Sequence, residues 1–579
     1  MRMRDRDPGR PRVPEIFKRG ARELERETQK HWRHMLTESL DAARANRGDD
    51  QAWARAAEVL RKLKRHDEAI SIVKEGLAHT SSIRLHRQHI NWLATCNRTE
   101  EAIAAALEAS SAFPDDVWIR LKEVLMLPVL YDSSAEVHRY RRRFTEGLAR
   151  LCEEIDLDTP EGRRHALAAL GGHTNFYLGY QGLNDRELQV QYGALAHRIM
   201  AANYPQWVQP LSMPPACDGE LIRIGYVSAR FRDLSAMRYF LGWLREHDRS
   251  RFAIHAFHMG RKTDSTTEEV RRISAVFHQF PDQLEETCHA IRAANLHVLV
   301  FLDIGLDPIM TQLAALRLAP VQCMAWDQPI TSGLPTVDYF LSSDLAEPER
   351  TQDHYCERLI RLPGVGVVYQ KPVIPAPLLQ KTRQDFQLRD DATVYLCCQH
   401  VYKFLPANDA VFTQIARRVP NAQFVFLAMN KAVGAALQRR LDRAFAAAGL
   451  ESSRHCVILP QLKRFDYWNL HLLADVFLDT IGWSSGTSVF EAIACRLPVV
   501  TVPGELMRSR QGLAILTQLG VTDTIARDNP RYVDIAVRLA ADRAFREDVK
   551  ERMVRGYPLL YSDRRCVGSL EDFFRGVFA

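Results

Sequence analysis

The residues best suited to chemistry lie near the end of the chain, at positions 482–504, which read GWSSGTSVFEAIACRLPVVTVPG. A turn rich in small hydroxyl residues precedes a short helical pattern, and an apolar strand then ends at a Pro-Gly pair. In a Rossmann-like half, this order presents backbone N–H groups and a helix N-terminus to a diphosphate. Glu491, one turn into the helix, is placed to hold a ribose hydroxyl. The segment therefore indicates a nucleotide-sugar site.

The same segment has a second interpretation that involves no ligand. Ser488 precedes Glu491 by three positions, which fits a capping box in which the two side chains only satisfy the end of the helix. The sequence leaves both interpretations open.

A lysine lies at the end of another predicted strand. The segment QHVYK, residues 399–403, directly follows the apolar run TVYLCC. A lysine there can reach into a cleft and neutralise the charge that builds on a departing diphosphate. Because Lys403 and residues 486–491 both follow strands of one α/β half, we expect them to act at one site.

The elements that position these residues form two successive α/β halves. Short apolar runs alternate with helical stretches, which predicts parallel sheets with crossover helices. A Pro-rich linker at residues 371–380 separates the halves, so a cleft between them is the expected site. The predicted strands are 221–228, 252–258, 297–305 and 321–326 in the first half, and 393–398, 423–428, 455–460, 476–480 and 499–504 in the second.

The region before the first strand is predicted to be helical and repetitive. The sequence DEAI at 67–70 returns as EEAI at 100–103, a displacement of 33 residues. This is close to the period of tetratricopeptide repeats, in which helix pairs stack and bury their apolar stripes. Such arrays offer a peptide-binding surface, although a helical spacer or a dimer interface fits the same pattern. Residues 151–217 remain helical and include the unusual segment GGHTNFYLGYQGLNDRELQ.

Length and composition narrow the class of protein. A chain of 579 residues, with 46% apolar and 26% charged residues, is typical of a folded soluble protein with several domains. A net charge of +6 over this length does not indicate a nucleic-acid partner. No apolar run approaches the roughly 18 residues of a membrane span, and no signal peptide is evident, so we expect a cytoplasmic protein. The scattered cysteines, without a C-x-x-C pair, predict reduced thiols and no zinc site.

Several segments together resemble the protein O-GlcNAc transferase and SPINDLY family, and the resemblance covers nearly everything after about residue 50. The closer likeness is to bacterial SPINDLY-like members, which share segments similar to NFYLGYQGLNDRELQ and ITSGLPTVDYFLSSD. The other segments are IRIGYVSARF (222–231), ALRLAPVQCMAW (315–326), PITSG (329–333), DY (338–339), YK (402–403), LADVFLD (473–479) and TVPGELMRSR (501–510).

The resemblance implies a GT-B fold, in which two Rossmann-like domains follow N-terminal tetratricopeptide repeats. The resulting fold class is α/β with an all-α N-terminal part. The predicted parts are a disordered basic tail (1–20), helical repeats (21–150), a helical connector (151–217), an acceptor-side Rossmann-like domain (218–380) and a nucleotide-sugar-binding Rossmann-like domain (381–579).

The resemblance also implies roles for individual residues. Lys403 matches the family's essential diphosphate-contacting lysine, and His173 matches a histidine that lines the active site. The implied donor-binding residues are Thr487 and Ser488 at the diphosphate, Glu491 at the ribose, Arg464 and Tyr467 at the ribose and uracil, His400 beside Lys403, and the loop Thr331, Ser332 and Gly333 near the sugar.

Two positions depart from the family pattern. Leu234, in the segment FRDLS, stands where the family has its second active-site histidine, and leucine can neither accept a proton nor hydrogen-bond a sugar. Residues 327–329 read Asp-Gln-Pro, where related bacterial proteins often have Gly-His-Pro. Either that histidine is not the base, or the donor or acceptor differs, or catalysis is impaired.

The predicted function is that of an inverting, metal-independent protein glycosyltransferase. It transfers GlcNAc or glucose from a UDP-sugar to Ser/Thr or Asn of a protein acceptor held by the repeats. No metal or other cofactor is expected, and a second copy of the chain is a further candidate partner. The alternatives are a catalytically impaired scaffold that binds nucleotide sugar, a GDP-fucose-dependent protein O-fucosyltransferase, and a transferase acting on glycans or small molecules.

Overall fold

The computed structural model of the protein describes residues 15–215, 220–375 and 380–577. Residues 1–14 of the predicted basic tail and residues 376–379 of the Pro-rich linker lie outside the described residues. The first helix begins at Glu15, so residues 15–20, which we predicted as part of a disordered tail, are helical. Glu15, Lys18 and Arg19 are good helix formers and favour this start of the helix.

The N-terminal part is an array of helices in which each helix packs on the next. Lys64 and Asn97, separated by the predicted 33-residue displacement, both adopt a left-handed backbone with φ of 60° and 58°. Gly76 allows close packing, since a Cβ there would lie 2.8 Å from the Trp53 ring. These repeating turns confirm the predicted repeats. The helices are α1 (Glu15–Ala45), α2 (Asp50–Lys62), α3 (His66–Leu77), α4 (Ile83–Thr95), α5 (Thr99–Ala112) and α6 (Val117–Leu125).

Three further helices connect the array to the α/β part: α7 (Ser134–Glu154), α8 (Pro160–Leu170) and α9 (Arg186–Asn203). The predicted domain boundary at residue 150 falls inside α7, which continues the helical array without a break. The backbone of α9 lies directly on the first α/β unit, because a Cβ on Gly193 would lie 2.2 Å from the carbonyl oxygen of Gly333. The array also contacts the second unit, where Arg440 donates to the carbonyl of Tyr131 at 2.8 Å.

The first α/β unit is a parallel sheet of seven strands in the order β3-β2-β1-β4-β5-β6-β7. Its strands are β1 (Ile222–Ser228), β2 (Phe252–His258), β3 (Val276–Gln279), β4 (Val298–Phe301), β5 (Val321–Ala325), β6 (Tyr339–Ser343) and β7 (Arg358–Leu362). Its helices are α10 (Ser235–Glu246), α11 (Ser265–Ile273), α12 (Leu284–Ala293) and α13 (Pro308–Ala314).

The second unit is a parallel sheet of five strands in the order β10-β9-β8-β11-β12. Its strands are β8 (Thr393–His400), β9 (Ala422–Ala428), β10 (Cys456–Pro460), β11 (Val476–Leu478) and β12 (Val499–Val500). The helices that follow β8 are α14 (Asp409–Arg418), α15 (Lys431–Ala447), α16 (Ser452–His455), α17 (Arg464–Leu473), α18 (Thr487–Ala494), α19 (Gln511–Leu519), α20 (Asn529–Ala541), α21 (Arg543–Leu560) and α22 (Arg565–Gly576).

The last helix returns to the first unit. Helix α22 packs on β7, and the Glu571 carboxylate lies 3.1 Å from Nδ1 of the buried His247. Nearer the cleft, the rings of Tyr369 and Phe490 stack with centroids 3.8 Å apart. These contacts hold the two sheets together on one side and leave a cleft on the other.

The apolar runs of the sequence all form the predicted strands, which confirms the two α/β halves. Strands β3, β6 and β7 were not predicted. Among the described residues, the cysteines are all free and no helix is long and apolar enough to cross a membrane.

Candidate functional site

A cavity of about 480 Å³ lies between the two α/β units, at the carboxyl ends of their strands. This volume is in the range of sites that enclose a small ligand. Segments that follow β1, β5, β8, β9 and β10 line the cavity, together with the N-terminal ends of α10 and α18. Of the predicted site residues, those that line it are His400, Lys403, Tyr467, Thr487, Ser488 and Glu491.

Lys403 brings a cation to the wall of this cavity. It ends the 3₁₀ turn Val401–Lys403 that follows β8, and its Nζ donates to the carbonyl of Ser484 at 3.5 Å. Burial lowers the pKa of Lys403 to about 8, while the negative charge of Asp479 acts in the opposite direction. The lysine therefore lies beside the turn that leads into α18.

A buried carboxylate fixes the shape of that turn. Asp479 accepts hydrogen bonds from Ser484 Oγ at 2.5 Å, Thr501 Oγ1 at 2.7 Å and the backbone N–H of Ser485 at 2.8 Å. Gly512 packs against it, since a Cβ there would lie 2.5 Å from Asp479 Oδ2. The main chain before α18 is thus held in one conformation by side chains of the same sheet edge.

Helix α18 begins at Thr487 and has no side-chain cap. The backbone N–H of Thr487 donates instead to the hydroxyl of Tyr239, at 2.5 Å, from the opposite α/β unit. The absence of a side chain on Gly486 makes this approach possible, because a Cβ there would lie 1.9 Å from the Tyr239 hydroxyl oxygen. An oxygen acceptor therefore already lies at the helix N-terminus that we predicted to face a diphosphate.

The capping-box interpretation of Ser488 and Glu491 is wrong. Ser488 lies inside the helix, not at its cap, and its Oγ accepts a hydrogen bond from the hydroxyl of Tyr467 at 3.0 Å. The Glu491 carboxylate accepts from Arg238 at 3.0 Å and from the Trp468 indole at 3.3 Å. Both side chains are therefore engaged in the cleft and not at the helix end.

Ion pairs at Glu491 join the two α/β units. Arg238 on α10 contacts Glu491 and also Asp233 at 3.1 Å, and Asp233 contacts Arg464 of the second unit at 2.5 Å. Burial raises the pKa of Glu491, and the positive charge of Arg238 acts against that rise. Arg464 therefore lies beside the cavity, although its guanidinium is used in a contact across the cleft.

Aromatic rings form one wall of the cavity. The Tyr180 and Trp483 rings stack with centroids 3.9 Å apart, and the Tyr180 and Tyr402 centroids are 4.5 Å apart. His400, at the end of β8, stacks on Tyr402 at 4.9 Å and is exposed at the cavity. Tyr180 comes from the connector segment, so the helical part contributes directly to the cavity.

His173 does not line the cavity. Its ring is buried, with Nε2 at 3.0 Å from Asn175 Oδ1 and Nδ1 at 3.4 Å from the Lys122 ammonium. Burial lowers the pKa of His173 to about 3, and the neighbouring Lys122 charge contributes to the lowering. The imidazole is therefore neutral at physiological pH.

The loop of Thr331, Ser332 and Gly333 is also buried outside the main cavity. Its two hydroxyls donate to the Glu357 carboxylate, from Thr331 at 2.6 Å, and the Ser332 backbone N–H donates to the same carboxylate at 2.8 Å. Gly333 has a φ of 73° and lies against α9. The loop and His173 are connected through Asn175 and Gln189, which donates to the Thr331 carbonyl at 3.2 Å.

The structure adds cavity residues that sequence reasoning did not assign. Leu234 lines the cavity, as do Asp233, Arg238, Tyr239 and Asp327. The position of Asp327 directly after β5 was a usable signal, because the ends of parallel strands meet at one sheet edge. No group of three or more His, Cys, Asp or Glu side chains suited to a metal ion occurs in the part of the chain that the structure describes.

The architecture is a GT-B fold with helical repeats. Two parallel α/β units face each other across a polar cavity, and an array of helices precedes them in the chain. The chain belongs to glycosyl transferase family 41, whose sequence model matches residues 197–370 and 368–558.

Two curated relatives carry the name probable UDP-N-acetylglucosamine–peptide N-acetylglucosaminyltransferase SPINDLY. The Arabidopsis thaliana protein is 26% identical over 371 residues, which cover 62% of this chain and 39% of the relative. The Oryza sativa protein is 26% identical over 441 residues, which cover 74% of this chain and 44% of the relative. The chain thus spans less than half the length of these relatives.

A solved structure of an O-GlcNAc transferase mutant from Thermobaculum terrenum has a similar fold. The TM-score is 0.68 at 20% sequence identity, and the match covers 95% of this chain and 97% of the other. At this identity the likeness establishes the fold alone. It confirms the predicted combination of helical repeats with two Rossmann-like domains.

Proposed function

We propose that this protein is an inverting glycosyltransferase that transfers a sugar, GlcNAc or glucose, from a UDP-sugar to Ser/Thr or Asn of a protein. The observation that carries the proposal is that Lys403 and the N-terminus of α18 line one cavity between the two α/β units. Membership of glycosyl transferase family 41 and the printed names of the SPINDLY relatives support the same reaction class.

The chemistry follows from the charge that develops on the leaving group. The acceptor attacks the anomeric carbon on the face opposite the diphosphate, and the bond from that carbon to the diphosphate oxygen breaks. The helix N-terminus carries a partial positive charge, and Lys403 carries a full one, so both stabilise the departing diphosphate. The Tyr239 hydroxyl lies where a phosphate oxygen would accept the hydrogen bond of the Thr487 N–H, so donor binding displaces it or makes it a further donor.

The nucleoside would occupy the part of the cavity beside Tyr467 and Glu491. Arg238 already contacts the Glu491 carboxylate, so a ribose hydroxyl must share that carboxylate with the guanidinium or replace it. Binding of the donor is thereby coupled to the ion pairs that join the two α/β units.

We propose further that the helical array holds the protein acceptor and that the reaction needs no metal ion, because Lys403 and the helix N-terminus supply the positive charge. We assign no proton transfer to His173. Its ring is buried and does not line the cavity, and its pKa of about 3 makes it a poor proton acceptor near pH 7.

The test measures release of UDP or GDP from UDP-GlcNAc, UDP-glucose and GDP-fucose, with and without a peptide library that contains Ser, Thr and Asn. Lys403→Met is the matched inactive control. Acceptor-dependent UDP release that the variant lacks would support the proposal. Release from GDP-fucose alone would favour the fucosyltransferase alternative, and donor binding without any release would favour a nucleotide-sugar-binding scaffold.

A further inference from the structure

Asp327 occupies a position from which it can act on a bound substrate. It lies two residues beyond the end of β5, at the sheet edge where the strands of the first unit end, and it lines the same cavity as Lys403 and Thr487. Its side chain is deep in the protein but remains partly accessible from the cavity.

The Asp327 carboxylate has no evident role in holding the fold together. Its buried oxygen, Oδ2, has no hydrogen-bond partner among the described residues. Two other buried carboxylates are well bonded: Asp479 accepts from Ser484 and Thr501, and Glu357 accepts from Thr331. Asp303 differs from Asp327 in that its Oδ2 accepts from Ser228 Oγ at 3.1 Å, although its Oδ1 has no partner among the described residues. A buried carboxylate without a partner is costly to a fold, and such groups are often retained for function.

The charged and titratable groups around Asp327 come from several elements. Arg230, after β1, is the cation whose charge acts on it, and Asp303, after β4, is a neighbouring buried acid. The negative charge of Asp327 also contributes to raising the pKa of the Tyr180 and Tyr239 hydroxyls. Burial raises the pKa of Asp327 to about 7, and Arg230 limits the rise. A carboxylate poised near physiological pH is suited to accept and release a proton.

We propose that Asp327 is the general base that takes the proton from the acceptor hydroxyl during sugar transfer. This inference rests on the proposed function and names a catalytic residue for it. Two alternatives for the same task are less suited, because Leu234 has no titratable group and the His173 ring is buried and does not line the cavity.

The acceptor oxygen forms a bond to the anomeric carbon, while the bond between that carbon and the diphosphate oxygen breaks. The bonding electron pair leaves with the nucleoside diphosphate, whose charge Lys403 stabilises. The hydroxyl proton moves to the Asp327 carboxylate, and solvent takes it after the product leaves.

The experiment compares Asp327→Asn with Asp307→Asn in the nucleotide-release assay with UDP-GlcNAc, UDP-glucose and GDP-fucose. Asn keeps the shape of Asp327 but cannot take a proton, so we expect kcat to fall by about 10²–10⁴-fold, with little change in UDP affinity by calorimetry. Asp307 is a matched control outside the cavity lining: it caps α13 by accepting from Ile309 N–H, and Asn caps a helix equally well. Asp307→Asn should keep wild-type activity.

The pH dependence of kcat/KM gives a second readout that needs only the wild-type protein. Asp327 acts when deprotonated, so kcat/KM should rise as the pH increases through about 7. Lys403 acts when protonated, so kcat/KM should fall as the pH increases through about 8. Asp327→Asn should lose the acidic limb and retain the alkaline limb.

The outcomes separate this inference from the proposed function. The inference is overturned, and the proposed function still stands, if the wild-type protein transfers sugar and Asp327→Asn does so at an undiminished rate. The same follows if the wild-type pH profile of kcat/KM has no acidic limb near pH 7. Equal loss of UDP affinity and rate would also overturn it, since Asp327 would then be a binding residue. A wild-type protein that binds UDP and transfers no sugar would refute both.

Discussion

Replacement of Lys403 by Met tests the proposed stabilisation of the leaving group. Met has a similar length and fills the same space without a charge. Removal of one preorganised stabiliser of transition-state charge lowers rates by about 10²–10³-fold, or about 3–4 kcal/mol in the activation barrier. We expect this loss in kcat for Lys403→Met, because Nζ is the cation beside the turn that leads into α18.

The same substitution should not destabilise the fold. Burial lowers the pKa of Lys403 from 10.5 to about 8, which corresponds to a penalty on the charged form of about 3 kcal/mol. Below pH 8 the Lys403 amine is protonated in both the folded and the unfolded chain, so the whole penalty of about 3 kcal/mol lowers the stability of the fold. Between about pH 8 and 10.5 the folded chain releases the proton first, and the wild-type protein gains stability relative to the variant. Lys403→Met should therefore be at least as stable as the wild type at pH 7, with an advantage that shrinks at higher pH.

Nucleotide release by both proteins gives the rate difference, and urea unfolding at pH 7 and pH 9.5 gives the difference in the free energy of unfolding. A variant that keeps more than half of the wild-type turnover would refute the leaving-group role. A variant that is less stable by several kcal/mol at pH 7 would show that the ammonium holds the fold, contrary to its single 3.5 Å hydrogen bond.

Three further predictions concern the metal, the helical array and Leu234. Activity should survive EDTA, because in the proposed mechanism Lys403 and the N-terminus of α18 supply the positive charge; a loss of activity in EDTA that added Mg²⁺ or Mn²⁺ restores would contradict this. Deletion of residues 1–130 should reduce transfer to protein more than UDP binding measured by calorimetry, because the proposed donor site lies between the α/β units; equal losses would place the array in the donor site. Leu234→His should leave turnover unchanged or lower, with a packing cost of about 1 kcal/mol at this partly buried position, and a tenfold gain in UDP release would instead indicate a decayed active site.

The sequence by itself determined the order and type of most elements. Short apolar runs such as 298–301 and 424–428 fit strands of a sheet covered on both faces, and their alternation with helical stretches predicted parallel strands. Two of the three strands that were not predicted, β3 and β7, lack this signal. Strand β3 is only half-buried along its length, and β7 is an edge strand that carries two exposed arginines, Arg358 and Arg361.

The sequence also indicated the part of the site that is local in the chain. Lys403 follows β8, and Thr487 begins the helix after a turn of small residues, so strand ends and turn chemistry alone predicted both positions. Their convergence on one cavity follows from the strand order, because β8 and β11 are neighbours in the second sheet.

Only the tertiary structure decided which distant groups meet these residues. Glu491 pairs with Arg238, which lies 253 positions away, and Thr487 donates to Tyr239 of the other α/β unit. Histidine is a residue type suited to catalysis, yet the His173 ring is buried and does not line the cavity. Asp327 lines the cavity, and its buried oxygen has no hydrogen-bond partner among the described residues. Burial and partners decide whether a side chain holds the fold or acts on a substrate, and both depend on how the two units pack, which spacing along a chain does not specify.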